Sequence, residues 1–221
     1  MTPNQITAAR VLAAFAAVAT FSWFRHSLAA DGVAVLLTVA AIVLDGVDGY
    51  VARTRGMATP LGAQIDILGD RLVENLFFTF FAVCGLISLW VPVLFFVRGT
   101  LTDFLRSLAA RSGRSGFGQN AMIETSWGRR LVASRASRGT YAALKCTCFC
   151  YLGMLMPLDH FSARWFTAGA HQIILNIGQA LVAGTAMACI VRGIPVIWEG
   201  RRYFVPAEKR GHRALPAAVS R

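Results

Sequence analysis

The chain has 221 residues, of which 56% are hydrophobic and only 15% are charged, and its mean hydropathy is +0.54. A soluble domain usually has about 25% charged residues, so the composition excludes an ordinary soluble domain and indicates an integral membrane protein. The formal net charge is +11. In so apolar a chain we expect this charge to orient the protein in the membrane and to contact anionic lipid, and we expect no nucleic acid partner.

Six apolar segments follow one another along the chain, and a helix needs about 20 residues to cross the hydrocarbon core of a bilayer. The segments are residues 6–24, 33–50, 65–90, 91–108, 141–158 and 165–198. They predict an all-α, polytopic integral membrane protein with six transmembrane helices. In this interpretation residues 1–200 form the transmembrane domain, and residues 201–221 form a basic cytoplasmic tail.

The distribution of basic residues predicts the orientation of these helices. If both termini are cytoplasmic, only Arg25 and Arg164 lie outside and only Arg98 and Lys145 lie within spans, which leaves 18 of the 22 basic residues on the cytoplasmic side. This excess agrees with the positive-inside rule. The longest polar connection, residues 111–139, is then cytoplasmic, and its stretch SWGRRLVASR predicts a short amphipathic helix on the cytoplasmic surface.

Four aspartates stand at the junction of the second and third segments. Asp45 and Asp48 are three residues apart, and Asp66 and Asp70 are four apart, so each pair shares one helix face. The connection between the pairs contains the helix breakers glycine and proline, which can return the chain so that both pairs meet. Ionisable residues in membrane segments usually face a cavity and mark a functional site.

Carboxylates held this close together repel one another, and divalent cations relieve the repulsion. Oxygen ligands suit Mg²⁺ or Mn²⁺, and two such ions about 3.5–4 Å apart are a recurrent device in phosphoryl chemistry. The aspartates therefore predict a site for two divalent cations. Two alternatives are an aspartate–arginine network that joins the helices, and a cation pathway of a transporter, which would place acids near the middle of the bilayer.

The aspartates belong to a longer pattern, D-x2-D-G-x2-A-R-x8-G-x3-D-x3-D. Its fixed positions are Asp45, Asp48, Gly49, Ala52, Arg53, Gly62, Asp66 and Asp70. At every fixed position this pattern resembles the signature of the CDP-alcohol phosphatidyltransferases, a family with a six-helix membrane core. The opening stretch from Pro3 to Arg10 also resembles the family's entry to its first helix.

The resemblance implies a reaction in which a phosphatidyl group passes from CDP-diacylglycerol to an alcohol, with release of CMP. By the same resemblance all four aspartates hold the two metal ions, and Asp70 also acts as the catalytic general base. The residues implied in CDP-lipid binding are Gly49, Ala52, Arg53 and Gly62. The resemblance further implies a bacterial inner-membrane enzyme, often a homodimer, and the predicted topology places its active site on the cytoplasmic face.

The acceptor alcohol is predicted less directly. A phosphorylated acceptor needs a second cationic site, for which the candidates are Arg106, Arg135, Lys145 and Arg192. We expect glycerol 3-phosphate, which would give phosphatidylglycerophosphate, and inositol phosphate, inositol or serine are the alternatives. Lys145 has a second interpretation, in which its long side chain reaches the cytoplasmic face of the membrane for solvation alone.

Overall fold

Helices make up nearly all of the structure, a computed structural model that describes residues 2–24, 27–54, 59–111, 122–165 and 168–204. They are α1 (Pro3–Trp23), α2 (Leu28–Thr54), α3 (Pro60–Val83), α4 (Trp90–Arg111), α5 (Ser126–Ala133), α6 (Arg135–Trp165), α7 (Ala168–Gly200) and the 3₁₀ helix η1 (Arg201–Phe204). The all-α prediction is confirmed for these residues. Each of the six predicted apolar segments lies mainly within a helix.

Four stretches in the described ranges are long and apolar enough to cross a membrane. They are Pro3–Trp23, Leu28–Val51, Ala136–Leu158 and Gly169–Tyr203. Helices α3 and α4, of 24 and 22 residues, are also long enough, but both contain several charged side chains. The structure thus supports four spans, and the prediction of six spans with cytoplasmic termini stays a prediction.

The third and fourth apolar segments do not adjoin as predicted, because a turn separates their helices. Gly85 follows the end of α3 with φ 78°, in the left-handed region that glycine adopts without strain. The Leu86 N–H donates to the Phe81 carbonyl at 3.0 Å, and the Gly85 N–H donates to the Ala82 carbonyl at 3.0 Å. This pair of bonds is the Schellman motif, which satisfies the last carbonyls of a helix.

Helices α1 and α3, which carry parts of the sequence motifs, begin with local capping signals. At the start of α1 the Thr2 N–H donates to the Gln5 side chain at 2.9 Å, and Pro3 is the first helical residue. At the start of α3 the Gly62 N–H donates to the Thr59 hydroxyl at 3.0 Å. Threonine caps followed by proline are typical helix starts, so both helices have fixed beginnings.

The chain divides into two units, of which the first comprises Met1–Val97 and Gly139–Cys189. Its core is a group of stacked and tilted phenylalanine rings. Phe78 of α3 lies 4.3 Å from Phe95 of α4 and 4.8 Å from Phe149 of α6, between ring centroids. Phe80 of α3 stacks on Phe21 of α1 at 5.5 Å. These aromatic contacts fix the C-terminal half of α3 against three other helices.

The second unit comprises Arg98–Arg138 and Ile190–Arg221, and it contains α5. The prediction of a short amphipathic helix is confirmed, because Trp127, Arg129 and Arg130 are exposed while Gly128 and Val132 are buried. However, the connection of residues 111–139 is shorter than predicted, since α6 already begins at Arg135. Its residues 112–121 lie outside the described part.

Two charged residues of α7 hold the two ends of α5. Near its N-terminus, the buried Glu199 carboxylate accepts from the Glu124 N–H at 2.7 Å and from the Thr125 hydroxyl. Near its C-terminus, the Arg192 guanidinium donates to the Leu131 carbonyl at 2.8 Å and to the Val132 carbonyl at 3.3 Å. An anion at the first turn and a cation at the last both complement the helix dipole.

This arrangement predicts that Glu199→Gln destabilises the second unit. The amide loses the charge that faces the N-terminus of α5 and one of its acceptor positions, and hydrogen bonds to charged groups contribute about 1.5–3 kcal/mol each. Thermal unfolding of the purified protein in detergent should therefore show a clearly lower Tm. The matched control is Glu124→Gln, whose half-exposed carboxylate pairs with Arg202. Equal losses in both variants would contradict the role of burial.

Candidate active site at the carboxylate cluster

Three of the four predicted aspartates come together between two helices. Asp45 of α2 and Asp66 and Asp70 of α3 each bring one carboxylate oxygen to within 4.8 Å of the others. We call these three residues the carboxylate cluster. Asp66 and Asp70 meet because they are one turn apart on α3, as their spacing predicts. The side chain of Asp48, the fourth, lies outside the described part of the structure.

Arg10 of α1 enters this cluster and contacts all three of its members. Its Nη1 donates to Asp70 Oδ1 at 3.1 Å and forms an ion pair with Asp45. Its Nη2 lies 3.4 Å from Asp66 Oδ1 and 3.4 Å from the Asp66 carbonyl oxygen. Arg10 is only 1% exposed, so these contacts provide the partners that a buried charge requires. An arginine–aspartate network between helices, one of the sequence alternatives, is thus present.

The position of Arg10 depends on a glycine and on the packing of α1 against α3. A Cβ atom at Gly69 would lie 2.7 Å from Arg10 Nη2 and 2.8 Å from Thr7 Cγ2. Real Cβ contacts are not so short, so only glycine lets α1 approach α3 this closely. Gly69 is not a fixed position of the sequence pattern, yet it makes room for the guanidinium.

The carboxylate cluster is open on one side, although Arg10 closes the other. The side chains of Asp45, Asp66 and Asp70 are 44%, 48% and 46% exposed, against 2% for Arg10. One guanidinium neutralises one of the three negative charges, which leaves a net charge of about −2 on the cluster when all three carboxylates are ionised. Exposed carboxylate oxygens with residual negative charge fit Mg²⁺ or Mn²⁺, so the residues present suit the predicted cations.

A second ionic group lies one turn further along α3. Glu74 is buried, and it pairs with Arg71 at 2.6 Å and with Lys145 of α6 at 3.2 Å. Lys145 also lies 5.0 Å from the centre of the Tyr141 ring. Of the four candidate acceptor residues, Lys145 is thus the one whose described contacts tie it to the helix that carries Asp66 and Asp70.

The other candidate acceptor residues belong to the second unit, where Arg106 and Arg192 have partners. Arg106 pairs with Asp103 at 3.2 Å on the same helix. Arg192 donates to two carbonyls of α5 and to the Ser137 hydroxyl. Arg135 is the first residue of α6, and its side chain lies outside the described residues. Their acceptor-binding role stays a prediction.

The predicted CDP-lipid residues lie at the facing ends of α2 and α3. Gly49, Ala52 and Arg53 are in the last two turns of α2, and the side chains of Ala52 and Arg53 are not described. Gly62 is in the first turn of α3, where an added Cβ would lie 3.0 Å from the Thr59 hydroxyl and 3.2 Å from Asn4 Oδ1. Gly62 therefore allows a close approach of α1 to the start of α3.

Sequence reasoning missed Arg10 and Glu74 as parts of this region. In the sequence Arg10 is one of the basic residues on the cytoplasmic side and the last residue of the opening stretch, and Glu74 is an acid early in the third apolar segment. A usable signal exists for both, since an ionisable residue within an apolar helix needs a partner. The identity of that partner depends on helix packing, which spacing along one helix does not reveal.

Apolar helices with a carboxylate cluster drawn from two of them define a membrane protein with a polar, acidic site. A model of the CDP-alcohol phosphatidyltransferase family matches residues 1–183. The chain belongs to this family, which confirms the resemblance seen in the sequence.

Three relatives illustrate the range of similar proteins. A probable phosphatidylglycerophosphate synthase of Mycobacterium tuberculosis is 32% identical over 114 residues, which are 52% of this chain and 51% of the relative. An archaetidylinositol phosphate synthase of Aeropyrum pernix is 32% identical over 120 residues, 54% and 59% of the two chains. A CDP-diacylglycerol–glycerol-3-phosphate 3-phosphatidyltransferase of Bacillus subtilis is 27% identical over 121 residues, 50% and 63%. The chain thus spans about half the length of the first of these relatives.

The contact at Gly69 leads to a prediction about α1. Gly69→Ala should force Arg10 and Thr7 away from α3, and overpacking of this kind costs about 1–3 kcal/mol. Thermal unfolding in detergent should show the loss as a lower Tm. As a control, Gly184→Ala in α7 adds a Cβ that meets no atom within 4 Å, so it should leave the Tm unchanged or raise it. A Gly69→Ala protein as stable as the wild type would show that the approach of α1 is not tight.

Proposed function

We propose that the protein transfers a phosphatidyl group from CDP-diacylglycerol to glycerol 3-phosphate, with release of CMP. The observation that carries this proposal is the carboxylate cluster, which α2 and α3 form at residues of the family's signature. Membership of the family supports the CDP-linked donor. The names of the mycobacterial and Bacillus relatives support glycerol 3-phosphate as the acceptor.

In the proposed enzyme, Asp45, Asp48, Asp66 and Asp70 would hold two divalent cations, Mg²⁺ or Mn²⁺. The cations would neutralise the diphosphate of the donor and stabilise the charge that develops on its oxygens. The half-exposed carboxylates of the cluster support this assignment. Gly49, Ala52, Arg53 and Gly62 would line the nucleotide and diphosphate at the facing ends of α2 and α3.

Asp70 would act as the general base of the transfer. Its carboxylate takes the proton of the acceptor hydroxyl, and the acceptor oxygen forms a bond to the lipid-side phosphorus. The bond from that phosphorus to the bridging oxygen of the diphosphate breaks, and CMP leaves with that oxygen. Asp70 is suited to this role because its carboxylate is 46% exposed while Arg10 fixes it from the buried side. A positioned base contributes about 10²–10⁴-fold to a rate.

The phosphate of the acceptor needs a cation, and Lys145 is the best supported of the four candidates. Its amine lies 3.2 Å from Glu74, which is one turn beyond Asp70 on α3. Glu74 also pairs with Arg71, so it keeps a partner if Lys145 turns toward a phosphate. Inositol phosphate remains the main alternative acceptor, because the Aeropyrum relative is named for an inositol phosphate product.

We place the site on the cytoplasmic face of a bacterial inner membrane. The support is the distribution of basic residues, of which 18 of 22 are cytoplasmic in the predicted topology. Acyl chains of the donor would stay in the lipid there, while CMP and the acceptor exchange with water. Homodimer formation is part of the proposal through the family resemblance only.

The central test is release of CMP from CDP-diacylglycerol by the purified protein with Mg²⁺ or Mn²⁺. We expect release with glycerol 3-phosphate and little with inositol, inositol phosphate or serine. Asp70→Asn should lower kcat at least 100-fold, because the amide cannot accept the proton. The control Glu124→Gln alters a carboxylate outside the cluster and should keep wild-type activity.

Three results would contradict different parts of this proposal. No CMP release with any acceptor would overturn the transferase assignment. Faster turnover with inositol phosphate than with glycerol 3-phosphate would correct the acceptor and keep the reaction. An Asp70→Asn protein with wild-type kcat would remove Asp70 from the role of base.

A separate prediction concerns Lys145. Lys145→Met keeps most of the length of the side chain and removes its charge, so KM for glycerol 3-phosphate should rise about tenfold, which corresponds to about 1.4 kcal/mol. KM for CDP-diacylglycerol should stay within about twofold of wild type. Arg138→Gln, in the first turns of the same helix, is the matched control. A Lys145→Met protein with a lower Tm and an unchanged KM would show that Lys145 only neutralises the buried Glu74 and does not bind the acceptor.

A further inference from the structure

We propose that Arg10 is a built-in cation that competes with divalent metal ions for the carboxylate cluster, and that it thereby weakens metal binding while it stabilises the metal-free protein. This inference rests on the proposed function, since it concerns the affinity of the proposed metal site. It adds a residue of α1 to a site that the sequence pattern assigns only to α2 and α3. It assigns Arg10 a positioning role, because the residue acts through the carboxylates.

The competition follows from the atoms that Arg10 already contacts. Its two terminal nitrogens reach Oδ1 of all three cluster residues. A metal ion that takes ligands from the same carboxylates must either share these oxygens or displace the guanidinium from them. In both cases two cations come close together, and like charges repel.

Burial makes the competition persistent. The side chain of Arg10 is 2% exposed, and its Nη2 lies so close to Gly69 of α3 that an added Cβ there would be 2.7 Å away. An exposed arginine could turn into water when a metal ion arrives, but this side chain is buried against α3 and paired with the carboxylates. The positive charge therefore stays near the cluster and lowers its affinity for any second cation.

The same contacts give Arg10 a structural role in the metal-free protein. Three carboxylates from two helices would repel one another without a cation among them. Arg10 supplies that cation from inside the protein, so the ends of α2 and α3 remain together whether or not metal is bound. Arg10 thus lowers the metal affinity of the cluster and keeps the cluster assembled when no metal is bound.

The test is Mn²⁺ binding to the purified full-length chain in detergent, measured by electron paramagnetic resonance of free Mn²⁺ without any lipid substrate. Arg10→Met should bind Mn²⁺ at least about tenfold more tightly than wild type. In EDTA the same variant should unfold at a lower Tm than wild type, and saturating Mn²⁺ should narrow that difference. Arg10→Lys keeps a charge but loses the two-nitrogen contact, so its affinity should fall between the two.

Arg98→Met is the matched control, because Arg98 is also a buried arginine within an apolar helix. Its substitution should leave the Mn²⁺ affinity unchanged, whatever its effect on Tm. If Arg10→Met does not fold, a wild-type affinity in Arg10→Lys would overturn the inference. Wild-type affinity in folded Arg10→Met would do the same and leave the proposed function intact. Failure of the wild-type protein itself to bind Mn²⁺ would instead overturn the metal site of the proposed function.

Discussion

The burial of one arginine between three helices is the constraint on which the first unit of the structure depends. Arg10 is 1% exposed, and a buried charge is tolerated only with well-placed partners. Its partners are carboxylates of α2 and α3, so α1 can pack in one register and one orientation only. Gly69 allows that register, since any larger residue would meet the guanidinium or Thr7.

Helix α3 carries its charged residues and its core phenylalanines in different parts of its length. Asp66, Asp70 and Glu74 follow one another at intervals of one turn, before the phenylalanines, and each has a cationic partner. The C-terminal half carries the phenylalanines, and Phe78 meets rings from two other helices. The aromatic half fixes the helix, and because a helix transmits position along its axis, the aspartates keep their place relative to α1 and α2.

The sequence predicted what depends on spacing along one helix and missed what depends on packing between helices. Asp66 and Asp70 share a face by helical geometry alone, and the short return between α2 and α3 makes a meeting with Asp45 predictable. Arg10 lies 56 residues before Asp66 in the sequence, and no periodicity relates the two. The apolar run through residues 83–91 gives no sign of the turn at Gly85, because the hydrophobicity of the side chains stays the same where the backbone leaves the helical conformation. The contacts of Arg192 with the C-terminal carbonyls of α5 were likewise not predictable, since nothing in the sequence shows which side chain satisfies them.

The positive and negative side chains of the site differ in how far they are exposed to solvent. Its positive groups lie inward, with side chains 2% exposed for Arg10, 19% for Lys145 and 23% for Arg71. The cluster carboxylates, at 44–48% exposed, lie outward. A cation that approaches from solution therefore meets the negative charge of the cluster first, because the three carboxylates are more exposed than the basic side chains and electrostatic attraction decays with distance and solvent screening.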